Sequence, residues 1–233
     1  MIKLFKISAL SMTCLVLCFA VSAHALLYEF NAVISGETPG GQKPWLTAEF
    51  TNTTRKINND DKSGVLLKLR APHLVSNTEF VTKWFFNNTL ENAIEGLMFS
   101  YQFEGTALAK KNFYPVDVDD LHAGAGALFD VYFQFQANNN KRFENGDSAD
   151  IFMYGVQGLT AETFNAVSTH TTNSPNKQYF AEAHIQGIST GTGSAWVVPI
   201  TTPAPVPEPG TMILLGFGML GLSVYGKRRM NKH

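Results

Sequence analysis

The sequence predicts an all-β domain, an antiparallel β-sandwich of jelly-roll type, and three observations lead there. Apolar and polar residues alternate at every second position in several short runs, the period of a strand with one buried face. Clusters of Gly, Asn and Pro separate the runs, at Gly36–Pro44, Asn58–Gly64, Gly124-Ala125-Gly126, Asn138–Asn140 and Asn173–Asn176, where turn residues belong. Helical spacing is confined to Thr160–Val167, enough for a connecting turn or two. Many strands with one buried face and almost no helix describe a sheet packed on a sheet.

The first 25 residues read as a secretory signal peptide, which implies passage through the Sec translocon. Lys3 and Lys6 precede the apolar stretch Ile7–Val21, and Ala23-His24-Ala25 supplies the small residues at Ala23 and Ala25 that a signal peptidase reads. Neither Cys14 nor Cys18 follows the small residues of a lipobox, so both cysteines leave with the leader. The mature chain then has no disulfide and no thiolate nucleophile.

Residues 26–198 form the predicted sandwich. Strand-like runs follow at Leu27–Ile34, Leu46–Thr51, Val65–Arg70, Phe80–Phe86, Leu97–Glu104, Phe129–Gln136, Ile151–Val156, Gln178–Ile188 and Ser194–Val198. Alternation puts Phe80, Thr82, Trp84 and Phe86 on one face of their strand, and Phe129, Val131, Phe133 and Phe135 on one face of theirs. Asp130, Tyr132, Gln134 and Gln136 take the opposite face. Residues 199–209 are Pro-rich and predict an extended, semi-rigid linker. Between Leu26 and Val206 there are 12 Lys and Arg against 18 Asp and Glu, a net charge of −6. That balance argues against a nucleic-acid partner, which needs clustered cations.

The C-terminus is built differently. Val206-Pro207-Glu208-Pro209 precedes an uncharged apolar run, Thr211–Tyr225, and then a basic stop, Lys227-Arg228-Arg229. This predicts a transmembrane helix over 210–226 and a cytoplasmic tail over 227–233, with the body on the periplasmic side. Fifteen helical residues, Thr211–Tyr225, reach only ~22 Å against a hydrocarbon core of ~30 Å. So short a span suits a transient anchor.

Pro207-Glu208-Pro209, the short apolar helix and the basic cluster resemble the PEP-CTERM sorting signal of exopolysaccharide-producing Gram-negative bacteria. The resemblance covers residues 206–233 and implies that an exosortase, a membrane-embedded cysteine protease, recognises the Pro-Glu-Pro element and cuts there. It implies an inner-membrane intermediate that passes to the cell surface or the extracellular biofilm matrix. The Leu-Pro-x-Thr-Gly element of Gram-positive sortase substrates is absent. A second likeness lies in Gly146-Asp147, in Phe180–Gly187 and in Gly193-Ser194-Ala195-Trp196, which are similar to β-sandwich ectodomains that such proteins carry.

The body offers few candidates for chemistry. Gly187-Ile188-Ser189-Thr190-Gly191 matches the nucleophile elbow of hydrolases, but strand-like residues follow where a helix is required, and the one downstream histidine is His233. Asp117, Asp119 and Asp120 form one acidic cluster, and Glu144, Asp147 and Asp150 another. Asp147 and Asp150 are the pair weighed for calcium, because a turn at Asn145-Gly146 could wrap carbonyl oxygens around an ion. No other cofactor is indicated. His184 reads as a hydrogen-bonded strand residue on the face shared by Phe180, Glu182 and Gln186. Trp45, Tyr132 and Tyr154 are the residues weighed as flat stacking platforms for sugar rings. The expectation is an exported, noncatalytic protein with a structural or adhesive role. The first alternative is a carbohydrate-binding module for matrix exopolysaccharide, and the second a glycan hydrolase, which needs two facing carboxylates.

Overall fold

Strand β1 (Ala25–Gly36) is the seam of one curled sheet, because it pairs along both of its edges. The computed structural model describes residues 25–104, 116–124, 126–138, 141–170, 178–189, 192–200 and 204–206, all within the unit His24–Val206. The other strands are β2 (Leu46–Ile57), β3 (Asp60–Arg70), β4 (Phe80–Phe86), β5 (Met98–Glu104), β6 (Val116–His122) and β7 (Ala127–Gln134). Then come β8 (Phe143–Glu144), β9 (Ser148–Tyr154), β10 (Thr169–His170), β11 (Ala181–Ile188), β12 (Gly193–Pro199) and β13 (Ala204–Val206). The order across the sheet is β10-β7-β4-β11-β12-β1-β2-β3-β9-β5, with β6 on β7, β8 on β4 and β13 on β1.

Antiparallel all-β structure is what the sequence predicts. The arrangement is a single sheet curled into a half-barrel, and its strand order does not lay out the two separate sheets of a jelly roll. The physical reason is β1 itself, which hydrogen-bonds to β12 on one side and β2 on the other and so joins the two layers. Curling brings the arms together. Phe99 of β5 meets Phe133 of β7 with ring centroids 6.0 Å apart, and Phe50 of β2 meets Phe86 of β4 at 5.1 Å.

Local chemistry sets several boundaries. The β2–β3 hairpin turns on Asn58 and Asn59, with φ of 52° and 70°, the two left-handed positions of a tight hairpin turn that Asn tolerates. The strands therefore run up to the turn, to Ile57 and from Asp60, where the sequence placed a longer loop ending at Gly64. In β4 the pairing steps from Lys83↔His184 to Val81↔Ile185, a bulge that flips one face. Val81 thus joins Trp84 and Phe86 in the core, correcting the predicted face of Phe80, Thr82, Trp84 and Phe86. On β7 and directly after it, Val131, Phe133 and Phe135 are core residues, while Phe129 packs with Phe85 in a second cluster, so the predicted single face is divided.

Asp130, on the face opposite the predicted apolar one, is 6% exposed. Its carboxylate accepts the N–H groups of Asn88 at 2.8 Å and Asp119 at 2.9 Å, and so pins the irregular β6–β7 pairing. Burial pushes this carboxyl above its usual range, against the pull of those two donors.

Two 3-10 turns, Glu91–Gly96 and Ala161–Phe164, interrupt the strands. The second is a short connecting turn, as the helical spacing over Thr160–Val167 predicts, and it buries Ala161 and Phe164 against the core. Its Ala161 N–H donates to Asn52 Oδ1 at 2.7 Å, and Phe164 stacks on Phe50 at 4.4 Å. Elsewhere the buried Glu79 clamps two loops, accepting the N–H of Gly40 at 2.7 Å and of Val75 at 2.9 Å.

Within the Pro-rich stretch, Pro199 ends β12, and Ala204–Val206 pair with Leu27–Ala25 of β1. The predicted signal peptide up to His24 lies outside the described residues, as do Pro207, Glu208, Pro209, the predicted transmembrane segment 210–226 and the tail with Lys227, Arg228 and Arg229. Among the described residues no helix is long and apolar enough to cross a membrane.

Tyr28 ties the second 3-10 turn to the sheet. Its phenol donates to the Phe164 carbonyl at 2.6 Å with both groups buried, and burial, with Glu162 adding repulsion, pushes its pKa far above the usual tyrosine value. Replacing Tyr28 by Phe leaves that carbonyl dry and unpaired, so the variant should lose about 1–2 kcal/mol in urea unfolding. An unchanged midpoint would contradict the role assigned to this bond.

Candidate functional site

On β11, Ala183 and Ile185 point into the core while Glu182, His184 and Gln186 point outward, the alternation the sequence predicts. Phe180 departs from it by packing against the core. On β12, Ala195 and Val197 are core residues, and Ser194 and Trp196 share the outer face. Strand registers place Gln134, Lys83, His184 and Trp196 side by side on β7, β4, β11 and β12. At ~4.8 Å per strand, this row is about 14 Å long.

The row is packed rather than loosely solvated. The His184 ring stacks on Trp196 at 4.4 Å, and the Lys83 ammonium lies 6.0 Å from the indole centroid. His184 Nδ1 and the Thr82 hydroxyl are 3.0 Å apart. Burial, and then the charge of Lys83, lower the His184 pKa to about 4, so the imidazole is neutral at physiological pH. Next to this row, Tyr132 stacks on Phe85 at 4.8 Å, and Phe85 reaches Trp196 at 5.9 Å. Burial pushes the Tyr132 phenol up to about 12.

The β6–β7 turn folds over this second aromatic cluster. Gly124 donates its N–H to Glu182 Oε1 at 3.0 Å, which anchors the turn to a carboxylate with 0% exposure. A Cβ on Gly124 would sit 2.1 Å from the Trp196 indole, so glycine is what lets the backbone lie on the ring.

One register step along the same face is a cavity of about 260 Å³, lined by Phe80, Arg142, Gln186, Thr192, Gly193 and Ser194 among others. Gln186 and Ser194 face each other across β11 and β12. The Arg142 guanidinium covers the Phe80 ring at 4.0 Å while its Nε donates to the Ala137 carbonyl at 3.0 Å. Phe80 is buried beneath the guanidinium, so the lining is mainly polar, made by Arg142, Gln186, Thr192 and Ser194.

The residues singled out from sequence fall in different places. Tyr132 belongs to the outer-face cluster. Trp45 is 1% exposed, with its indole N–H donated to the Gly41 carbonyl at 3.0 Å; a core ring has no face to offer a sugar, and its reading as a platform is corrected. Tyr154 lies on β9, stacked on Phe152 at 5.4 Å, away from β11 and β12 in the strand order. Asp147 is buried and accepts the Glu144 N–H at 2.9 Å, capping the turn before β9. Asp150 stands in β9 opposite Lys68 and Gln102. Among the described residues no three His, Cys, Asp or Glu side chains come together to hold a metal ion.

Of the serine motif, Gly187 and Ile188 end β11 and Ser189 follows it, Thr190 and Gly191 lie outside the described residues, and β12 begins at Gly193. Ser189 has φ of 58° and donates its hydroxyl to Glu37 Oε2 at 2.5 Å. Trp196, Gln186, Lys83 and Arg142 meet on this face without a sequence motif that marks them. The available signal was the unbroken polar face Glu182-His184-Gln186, but nothing local says that Arg142, from another loop, arrives beside it. Of the terminal signals, Ala25 opens β1 at 5% exposure, and Val206 pairs with it; Ala23 lies outside the described residues.

A model of the PEP-CTERM protein-sorting motif matches residues 205–229. No curated protein and no solved structure matches the chain.

Two outcomes follow from this geometry. The unfolded imidazole, with its ordinary value of 6.5, binds protons more readily than folded His184 at about 4. Its contribution therefore destabilises the fold as pH falls from about 6.5 toward about 4. Relative to a His184→Gln variant, wild-type stability should fall over that window in denaturant titrations, and identical pH profiles would contradict the assignment. Gly124→Ala should force the turn off the indole, costing about 1–3 kcal/mol and making tryptophan emission easier to quench with acrylamide. Unaltered quenching would mean that the turn does not rest on Trp196.

Proposed function

We propose that this protein is exported, held briefly at the inner membrane, and transferred by an exosortase to the cell surface or exopolysaccharide matrix, where its role is structural or adhesive and noncatalytic. The observation that carries this reading is the PEP-CTERM motif at residues 205–229. The acidic body, with a net charge of −6, suits a soluble exported domain. In this reading Pro207-Glu208-Pro209 is the element the exosortase reads, and Lys227, Arg228 and Arg229 are the stop that fixes orientation.

A second reading, a carbohydrate-binding module, is favoured by the outer face. Aromatic rings bordered by amide and hydroxyl groups are the chemistry that sugars stack and bond on. The two readings are compatible, since glycan binding is one way for a matrix protein to adhere. A glycan hydrolase would need two facing carboxylates; beside this cavity the Glu37 carboxylate lies against Gly193.

The test is the intact mass of the protein recovered from the matrix fraction of its host. The wild-type chain should begin near Leu26 and end near Pro207–Pro209. A variant carrying Pro207→Ala and Glu208→Ala should keep its tail to His233 and stay with the membranes. Wild-type protein found in the matrix with its tail intact, or a variant processed like wild type, would overturn exosortase handling.

A further inference from the structure

We propose that β13 is a latch on the sorting signal: while Ala204–Val206 are paired with β1, the Pro207-Glu208-Pro209 element is closed to a protease, and the strand must peel away before the element is cut. The proposal rests on the exosortase reading and adds to it a control built into the fold. Three observations carry it.

The first is reach. Val206 is paired with Ala25 and stands one residue before Pro207. At no more than ~3.6 Å per residue, Pro209 lies within about 11 Å of Val206 whatever path the chain takes. An endoprotease holds the residues on both sides of the scissile bond in extended form through their backbone groups, as strand addition does. An N–H that bonds to β1 cannot also be given to the protease.

The second is obstruction. The β1–β2 ladder ends at Ala25↔Thr51, while β2 runs on to Ile57 and returns as β3. At ~3.4 Å per residue, Asn52–Ile57 project about 20 Å past the level of Val206. This arm stands on the far side of β1 from β13, two strand spacings or about 10 Å away. A cleft that closes within about 11 Å of Val206, the reach set by chain geometry, meets it.

The third is that the latch is built to open. Three register pairs hold it, Ala25↔Val206, Leu26↔Pro205 and Leu27↔Ala204. Pro205 has no N–H to donate, and among the described residues no strand pairs with the outer edge of β13, the setting in which a sheet tolerates proline. A leader cut after Ala25 also removes the partner of Val206. β1 stays in place when β13 leaves, because β2 still pairs with it over Ala25–Phe30 and Leu26, Tyr28 and Phe30 are core residues. Release moves the tether back to Pro199, which pairs with Phe30. The ten residues from there to Pro209 reach up to about 36 Å, against about 11 Å from Val206.

The experiment locks the latch. The chain after residue 25 has no cysteine, and Leu27 and Ala204 are directly opposite each other, at the ~4.5–5.5 Å Cα separation of opposed residues that a disulfide spans. Leu27 is half-buried and outside the core cluster. Full-length precursors are followed in their host by pulse-chase, with tail removal confirmed by intact mass. Leu27→Cys with Ala204→Cys should cross-link in the oxidising periplasm. The locked protein should lose its tail at least about tenfold more slowly than wild type, because only the released fraction is cut, and dithiothreitol should restore the rate. Leu27→Ser with Ala204→Ser, which cannot cross-link, should be cut like wild type and separates locking from misfolding. A lock elsewhere, Thr54→Cys with Ser63→Cys across the β2–β3 hairpin, should leave processing unchanged. A flexible Gly/Ser spacer of about ten residues between Val206 and Pro207 should let the locked protein be cut. Locked protein processed at the wild-type rate, or two cysteines that fail to join, would overturn the latch and leave exosortase handling standing. Wild type that keeps its tail removes exosortase handling and the latch with it.

Discussion

A sheet with no long helix laid against it must cover its own apolar face, and here the two arms curl until their aromatic rings meet. Phe50 against Phe86 at 5.1 Å and Phe30 against Trp84 at 5.2 Å join β2 and β1 to β4. Phe99 against Phe133 at 6.0 Å joins strands near opposite ends of the order. Rings suit this task because each buries 150–250 Å² and they prefer edge-to-face contact, the geometry of all three pairs. The curl also explains the plug at Ala161–Phe164, since a half-barrel leaves a side that Tyr28, Phe50 and Asn52 close through that turn.

This constraint allocates the surfaces. The inner face is consumed by packing, so contact with other molecules falls to the outer face and the loops. There the polar side chains of β11 stand on a strand held from behind by the core, and the β6–β7 turn is held down through Gly124, Glu182 and Trp196. The ends of the sheet follow the same economy of position. Val206 pairs with Ala25, the last pair among the described residues, directly before Pro207-Glu208-Pro209 in the chain. The matched sorting motif begins at residue 205, inside the ladder, which places the signal directly at the domain's edge.

What could be read from sequence follows from where the determinants lie. The span Phe80–Phe86 was legible because bulky residues filled both faces between turn signals, and the observed strand is the same. Its facing was not, because the bulge at Thr82 depends on the partner strand β11, and alternation in one strand carries no trace of another's register. The acidic stretch from Asp117 to Asp120 showed in sequence only as a cluster of like charge. It forms the irregular part of β6, held by Asp119 N–H on the carboxylate of Asp130. Trp45 misled for the opposite reason: a Trp in a Gly- and Pro-rich loop looks exposed, yet the loop folds back so that its indole is buried. The sorting signal was legible because its information is local and linear. The outer-face cavity was not, because Phe80, Arg142, Gln186 and Ser194 come from four separate segments.

The concave face is structural, and we propose that the β4-β11-β12 outer face is where this protein meets its surroundings. Hydroxyl-radical footprinting of the exported protein, with and without the polysaccharide extracted from its host's matrix, tests it most directly, because it reports side-chain access one residue at a time. Protection should concentrate on Trp196, Tyr132 and His184 while the β2–β3 hairpin stays as reactive as before. Protection confined to that hairpin or to Tyr154, or no protection anywhere, would contradict the account.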